Sequence, residues 1–89
     1  MKKPRELERI LKGCANHRRI EMLLALKKTP EQSLGELVDF LKINLKTGSE
    51  HLRRLAMAGL IIKRYERATV RHALTARGEV ILKFLRILE

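Results

Sequence analysis

The sequence holds 89 residues, enough for one domain and too few for two, so residues 1–89 are read as a single unit. Hydrophobic residues at 45% and charged residues at 34% suit a packed globular fold and exclude a disordered polar tail. A net charge of +10 draws polyanions, nucleic acid ahead of an anionic membrane, while 3% aromatics argue against single strands, whose binding needs stacking platforms.

The N-terminus, Met1-Lys2-Lys3-Pro4, runs into alternating charges and lacks the apolar run of a signal peptide. Pro4 fits a first helical turn, Leu7, Ile10, Leu11 and Cys14 then recur at helical spacing, and Gly13 marks the end region. Cys14 is the one cysteine, so no disulfide forms within the chain, and a reducing, cytoplasmic setting is expected. Asn16 reads as the N-cap of a second helix with Ile20, Leu23 and Leu24 inward and Lys27 and Lys28 in its last turn. Thr29 to Gln32 reads as a loop.

Ser33 and Glu36 have the spacing of a capping box, followed by Leu34, Leu37, Val38 and Leu41 on one helical face. Asn44 offers the next N-cap, Leu52 and Leu55 lie inward, and Gly59 ends that helix. Two short helices joined by a tight turn, over about residues 33–58, are the organisation of a helix-turn-helix. The longest apolar stretch, Leu55 to Ile62, is far too short to cross a bilayer, so no membrane partner is expected. Ile61 to Glu66 and Val70 to Leu74 then read as two strands around Arg67-Ala68-Thr69, although the turn lacks the Asn-Gly or Asp-Gly of a tight hairpin. Thr75 caps a last helix carrying Val80, Ile81, Phe84, Leu85 and Leu88. The expected fold is mainly α with a small β-hairpin (α+β): four helices, a hairpin over about residues 61–74, and a fifth helix.

Ser33 to Ile61, SLGELVDFLKINLKTGSEHLRRLAMAGLI, resembles the core of the arsenical-resistance repressor (ArsR) family of winged helix-turn-helix regulators. The features that carry this are Gly-Glu-Leu near the start of the first helix, Thr47 and Ser49 in the second, His51-Leu52, Leu55, and the Ala58-Gly59-Leu60 exit towards the wing. Upstream, ANHRRIEMLLAL resembles that family's second helix, with His17 where its signature has proline. The Leu74-Thr75 ending before a helix with Gly78 is also similar to regulators of the multiple-antibiotic-resistance (MarR) type. The likeness spans about residues 7–88. Two departures stand out. Family members usually have an apolar residue where Gly48 stands, and the wing turn lacks a glycine.

In a helix-turn-helix the N-terminal part of the second helix enters the major groove of duplex DNA. With Leu52 and Leu55 inward, Lys46, Ser49, Glu50 and Arg53 fall outward and Leu45 sits at the exposed start. Lys46 and Arg53 suit guanine edges or phosphates, Ser49 several bases, Glu50 the cytosine amino group and Leu45 a thymine methyl. Thr47, Arg54 and Asn44 can reach phosphates, Asn44 serving also as a cap. Lys63, Arg64, Arg67 and Arg71 make the hairpin basic, suited to phosphate or minor-groove contact. The terminal helices carry more apolar positions than one core needs. The ArsR resemblance implies a homodimer built from them, with Leu7, Ile10, Leu11, Ile81, Phe84, Leu85 and Leu88 at the interface.

The metal sites of the family are not matched. The helix after Ser33 lacks a Cys-x-Cys pair and the last helix lacks His and Asp, so neither metal nor other cofactor is expected. Cys14 reads as a small buried hydrophobe, with a redox role as the alternative. No catalytic constellation or phosphate loop is present, which argues against an enzyme. The reading is a sequence-specific, dimeric regulator of transcription, a repressor by resemblance. The alternatives are a winged-helix protein–protein assembly module and a non-specific chromatin or RNA binder.

Overall fold

Pro4 opens helix α1 (Pro4–Cys14) at its first position, where a missing N–H leaves no bond unmade. Helix α2 (His17–Lys28) starts from Asn16, whose side chain accepts from the Arg18 and Arg19 amides at 2.9 and 3.2 Å. The computed structural model describes residues 1–89, and the chain continues through β1 (Gln32–Ser33), α3 (Leu34–Leu41), α4 (Leu45–Met57), β2 (Ile61–Glu66), β3 (Thr69–Leu74) and α5 (Ala76–Ile87). Ser33 and Glu36 form the full capping box of α3. Asn44 caps α4 through the Thr47 amide at 2.8 Å, and Thr75 caps α5 through the Gly78 amide at 3.0 Å. No helix is long and apolar enough to cross a membrane.

Met22, Leu23, Leu26, Leu37, Leu55, Leu60 and Ile61 are fully buried at the centre of the core. Each such side chain stabilises the fold by about 1.5–3 kcal/mol relative to exposure. Around them pack Cys14, Leu41, Leu52, Ile81 and Leu82, so every helix contributes. One expectation for α2 is corrected: Leu24 is 55% exposed. The inward stripe runs through residues 19, 22, 23 and 26, and Leu24 lies a further 100° around the axis. Met22 and Leu26 fill the place expected of it, and Arg19 occupies the same stripe.

The sheet is also larger than the expected hairpin. It has three antiparallel strands in the order β1-β3-β2, and Gln32, read as loop, pairs with His72 while Ser33 pairs with Arg71. A two-residue strand shows no alternation of its own; it exists because β3 offers an edge. Gln32 and His72 are buried together: the His72 ring nitrogen Nδ1 lies 3.0 Å from the Gln32 carbonyl, and the Gln32 amide donates to the Ala25 and Thr29 carbonyls at 2.9 Å. That side chain thereby closes the end of α2 and ties it to the sheet. The hairpin turn is one residue shorter than expected, since Thr69 pairs with Glu66 and leaves only Arg67 and Ala68 between the strands. Arg67 takes the left-handed conformation (φ +56°) for which glycine was missed in the sequence.

Candidate nucleic-acid interface

The helix-turn-helix is formed by α3 and α4. Lys42 adopts a left-handed conformation (φ +57°) at the end of α3, and the Ile43 amide returns to the Val38 carbonyl at 3.2 Å. Gly48 explains its departure from the family pattern. It is buried, and a Cβ there would collide with the Val38 Cγ1 methyl, so α4 rests on α3 backbone to side chain. With Gly48, Leu52 and Leu55 inward, Leu45, Lys46, Thr47, Ser49, Glu50, Arg53 and Arg54 are all exposed along the other side. Leu45, at 59% exposure, is an apolar residue held in water at the tip of the helix.

Three of these side chains engage one another. The Arg53 guanidinium donates twice to Glu50, once through Nε at 2.9 Å, and Arg54 Nε lies 3.3 Å from the same carboxylate. The hydrogen bonds from Arg53 hold the Glu50 pKa down at about 2, with the charges of Arg53 and Arg54 acting in the same direction. Glu50 is therefore an ionised acceptor throughout the neutral range. The cluster is exposed, where ion pairs are weak, so an approaching base or phosphate can exchange these partners.

The far end of α4 is pinned. Gly59 turns with φ +75°, the Thr75 hydroxyl donates to the Gly59 carbonyl at 2.6 Å, and Arg77 donates to the Ala58 carbonyl at 3.0 Å. Arg19 secures the helix from behind. Its guanidinium approaches His51 Nδ1 at 3.3 Å and donates to the Lys12 carbonyl at 3.2 Å, joining α1, α2 and α4, while its Nε is buried without a partner. Burial first, then the Arg19 charge, push the His51 pKa down, so the neutral ring accepts at Nδ1. Sequence reasoning missed both Arg19 and Arg77. The signal for Arg19 was its place in the apolar stripe of α2; Arg77 had none.

The four basic wing residues all lie on the β2–β3 hairpin, on different faces of it. Side chains alternate across a strand. Arg64 and Arg71 stand directly opposite on one face, Lys63 opposes His72 on the other, and Arg67 is at the tip. Arg71 is half-buried, donating to the Glu31 carbonyl at 3.0 Å with Glu36 at 3.4 Å, and Arg64 lies 3.9 Å from Glu31. These carboxylates offset a like-charge pair that would otherwise weaken the ladder. Arg71 thus fastens the wing to the loop before α3, while Lys63 and Arg67 make no ion pair.

The residues expected between protomers also divide. Leu11, Phe84 and Leu88 are exposed, as are Val80 and Ile87; Leu7, Ile10 and Leu85 are half-buried. Ile81, at 7% exposure, belongs to the chain's own core and is not open to a partner. The Cys14 thiol donates to the Leu11 carbonyl at 3.3 Å, and burial pushes its pKa up, which favours the protonated thiol. Nowhere do three or more His, Cys, Asp or Glu side chains gather as a metal cage.

The sequence model described as "Bacterial regulatory protein, arsR family" matches residues 16–63. HlyU from Vibrio cholerae N16961 is similar over nearly the whole length: 32% identity over 99% of this chain and 97% of that one, with a TM-score of 0.84. The transcriptional regulator HlyU from Vibrio vulnificus CMCP6 is 34% identical over 92% of this chain and 85% of its own, with a TM-score of 0.76. The homodimeric winged helix-turn-helix DNA-binding domain of Mb0332 from Mycobacterium bovis shares the fold, at a TM-score of 0.83 and 24% identity over 93% of this chain and 77% of that one. No curated protein sequence matches the chain.

Proposed function

The chain belongs to the arsR family of bacterial regulatory proteins, and from that membership we propose that it regulates transcription as a sequence-specific, dimeric repressor that reads duplex DNA through α4. The observation that carries this is the outward row of α4. Leu45, Lys46, Thr47, Ser49, Glu50, Arg53 and Arg54 stand exposed on a helix whose opposite side is locked into the core. A helix of this kind fits the major groove, and a chain with a net charge of +10 supplies the sequence-independent attraction. Lys63, Arg64 and Arg67 of the wing contact the flanking backbone.

The dimer is built from the exposed apolar side chains of α1 and α5, chiefly Leu11, Phe84 and Leu88, with Leu7, Ile10 and Leu85 beneath them. Repression is the direction of regulation that the resemblance to arsenical-resistance repressors implies, without a metal at their usual sites. Residues 1–89 act as one unit in this reading and carry no catalytic role. Selection from a random duplex pool at physiological salt tests it. Enrichment of a pseudo-palindrome with half-sites one DNA turn apart, roughly 34–36 Å, is the expected result. Binding without enrichment points to a non-specific DNA binder instead, and no binding even at low salt points to an assembly module.

A further inference from the structure

Helix α1 has a second face. Arg9 projects about half a turn, and Lys12 about a third of a turn, around from Leu7 and Leu11. Between this face and the C-terminal half of α4 lies a cleft of about 240 Å³. Gly13 creates it: a Cβ there would collide with that of Ala58, so the two helices meet closely and the long side chains rise around the contact. Gly13, Met57 and Ala58 line it together with Arg9, Lys12, Arg53 and Arg54, and Met57, an exposed side chain, accepts from Arg53 at its sulfur at 2.9 Å.

Glu8 lies 3.9 Å from Lys12, and Glu50 holds Arg53 and Arg54, so four cations against two carboxylates leave a surplus of positive charge. Arg19 adds to it from behind, buried and bonded to the Lys12 carbonyl. Beyond Ala58 the cleft opens into a second hollow edged by Lys2, Glu6 and Arg77. A lining that joins Gly13, Met57 and Ala58 to four cationic side chains matches an anion with an apolar body better than a bare phosphate, which would leave the apolar part of the lining without a partner. The volume corresponds to about eight water molecules of liquid, which fits an acid of roughly ten non-hydrogen atoms.

We infer that this cleft binds a small organic carboxylate with an apolar tail, and that its occupancy opposes DNA binding because Arg53 and Arg54 serve both ligands. The opposition rests on the proposed reading of α4; the binding does not.

Calorimetric titration of the full chain with octanoate, below its micelle concentration, tests the cleft. Saturable binding of one octanoate per chain is expected, with neutral octanol and inorganic phosphate each weaker by about tenfold or more. Arg9 and Lys12 are exposed, so the Arg9→Gln/Lys12→Gln variant keeps its fold, checked by thermal melting, and loses about tenfold or more in octanoate affinity. No saturation, phosphate binding as tight as octanoate, or an unaffected double variant would each overturn the site. In parallel, octanoate lowers the affinity of the wild type for duplex DNA and leaves that of the variant unchanged. Octanoate binding with no effect on duplex affinity overturns the coupling. A protein that binds no duplex at all defeats the reading of α4, while the titration still decides the cleft.

Discussion

Gly48 illustrates how one residue sets the geometry of the interface. In an exposed helix, alanine in place of glycine stabilises by about 1 kcal/mol. At this position the added methyl meets Val38 Cγ1, on a β-branched side chain with little freedom to move. Overpacking of that kind typically costs about 1–3 kcal/mol, so Gly48→Ala is expected to be neutral to destabilising by about 2 kcal/mol. In a Val38→Ala background the same change should turn stabilising. Chemical denaturation of the four proteins checks this; a stabilising Gly48→Ala in the wild type would mean that α3 and α4 are not in such close contact.

His72 gives a second prediction at this scale. It is 4% exposed, and burial, opposed in part by its bond to the Gln32 carbonyl and aided by Lys63, lowers its pKa below the ordinary 6.5. The unfolded chain therefore takes up the proton first, and the stability is present above pH 6.5 and lost as pH falls towards the folded pKa. His51 contributes with the same sign. Melting temperature should fall between about pH 7 and pH 5, and less steeply in His51→Gln. A flat profile would contradict the neutral state of the buried His72 and the half-buried His51. The caps at Asn16, Ser33, Asn44 and Thr75 were legible in the sequence because capping is chemistry between residues two or three apart. The burial of His72 and Arg19 was not, because it depends on which elements close over them.

Among the elements, the wing shows where sequence reading ends. Its strands were visible from composition, but the sheet's third member, β1, is made by pairing with residues about 40 positions away, and two residues have no periodicity to read. The same pairing changes what the wing arginines do. Arg71→Ala is expected to lower stability, by loosening Glu31 and the β1 strand that follows it, and to affect DNA affinity only through that loss. Arg67→Ala and Lys63→Ala should leave the melting temperature unchanged, weaken binding to all duplexes alike and reduce the salt slope of log affinity by about 1 for each phosphate no longer neutralised. A salt slope unchanged in both variants would remove the wing from the interface. Helix α4 was more legible, since its inward Leu52 and Leu55 fix which side chains face out.

For the molecule as a whole, the apolar residues of α5 divide between two tasks. Ile81 and Leu82 belong to the core, whereas Val80, Phe84, Ile87 and Leu88 are exposed, Ile87 by 80% and Leu88 by 66%. Periodicity could count the surplus of apolar positions but misplaced Ile81, because the two faces of one helix blur into each other when both are apolar. Light scattering at micromolar concentration should give a dimer, and Phe84→Asp/Leu88→Asp should give a folded monomer. A wild-type monomer, or a dimer surviving both changes, would contradict the assignment of α1 and α5.

Central to this picture of the molecule is that the outward face of α4 reads base sequence. That is tested most directly by the affinities of the wild type and of Ser49→Ala/Glu50→Ala for a selected duplex and a scrambled one of equal length, at about 0.15 M salt. The variant is expected to lose about tenfold or more on the selected duplex. On the scrambled duplex it should hold its affinity or gain, since removing Glu50 frees Arg53 and Arg54 for phosphate. Equal losses on both duplexes, or no change on either, would contradict base reading by α4.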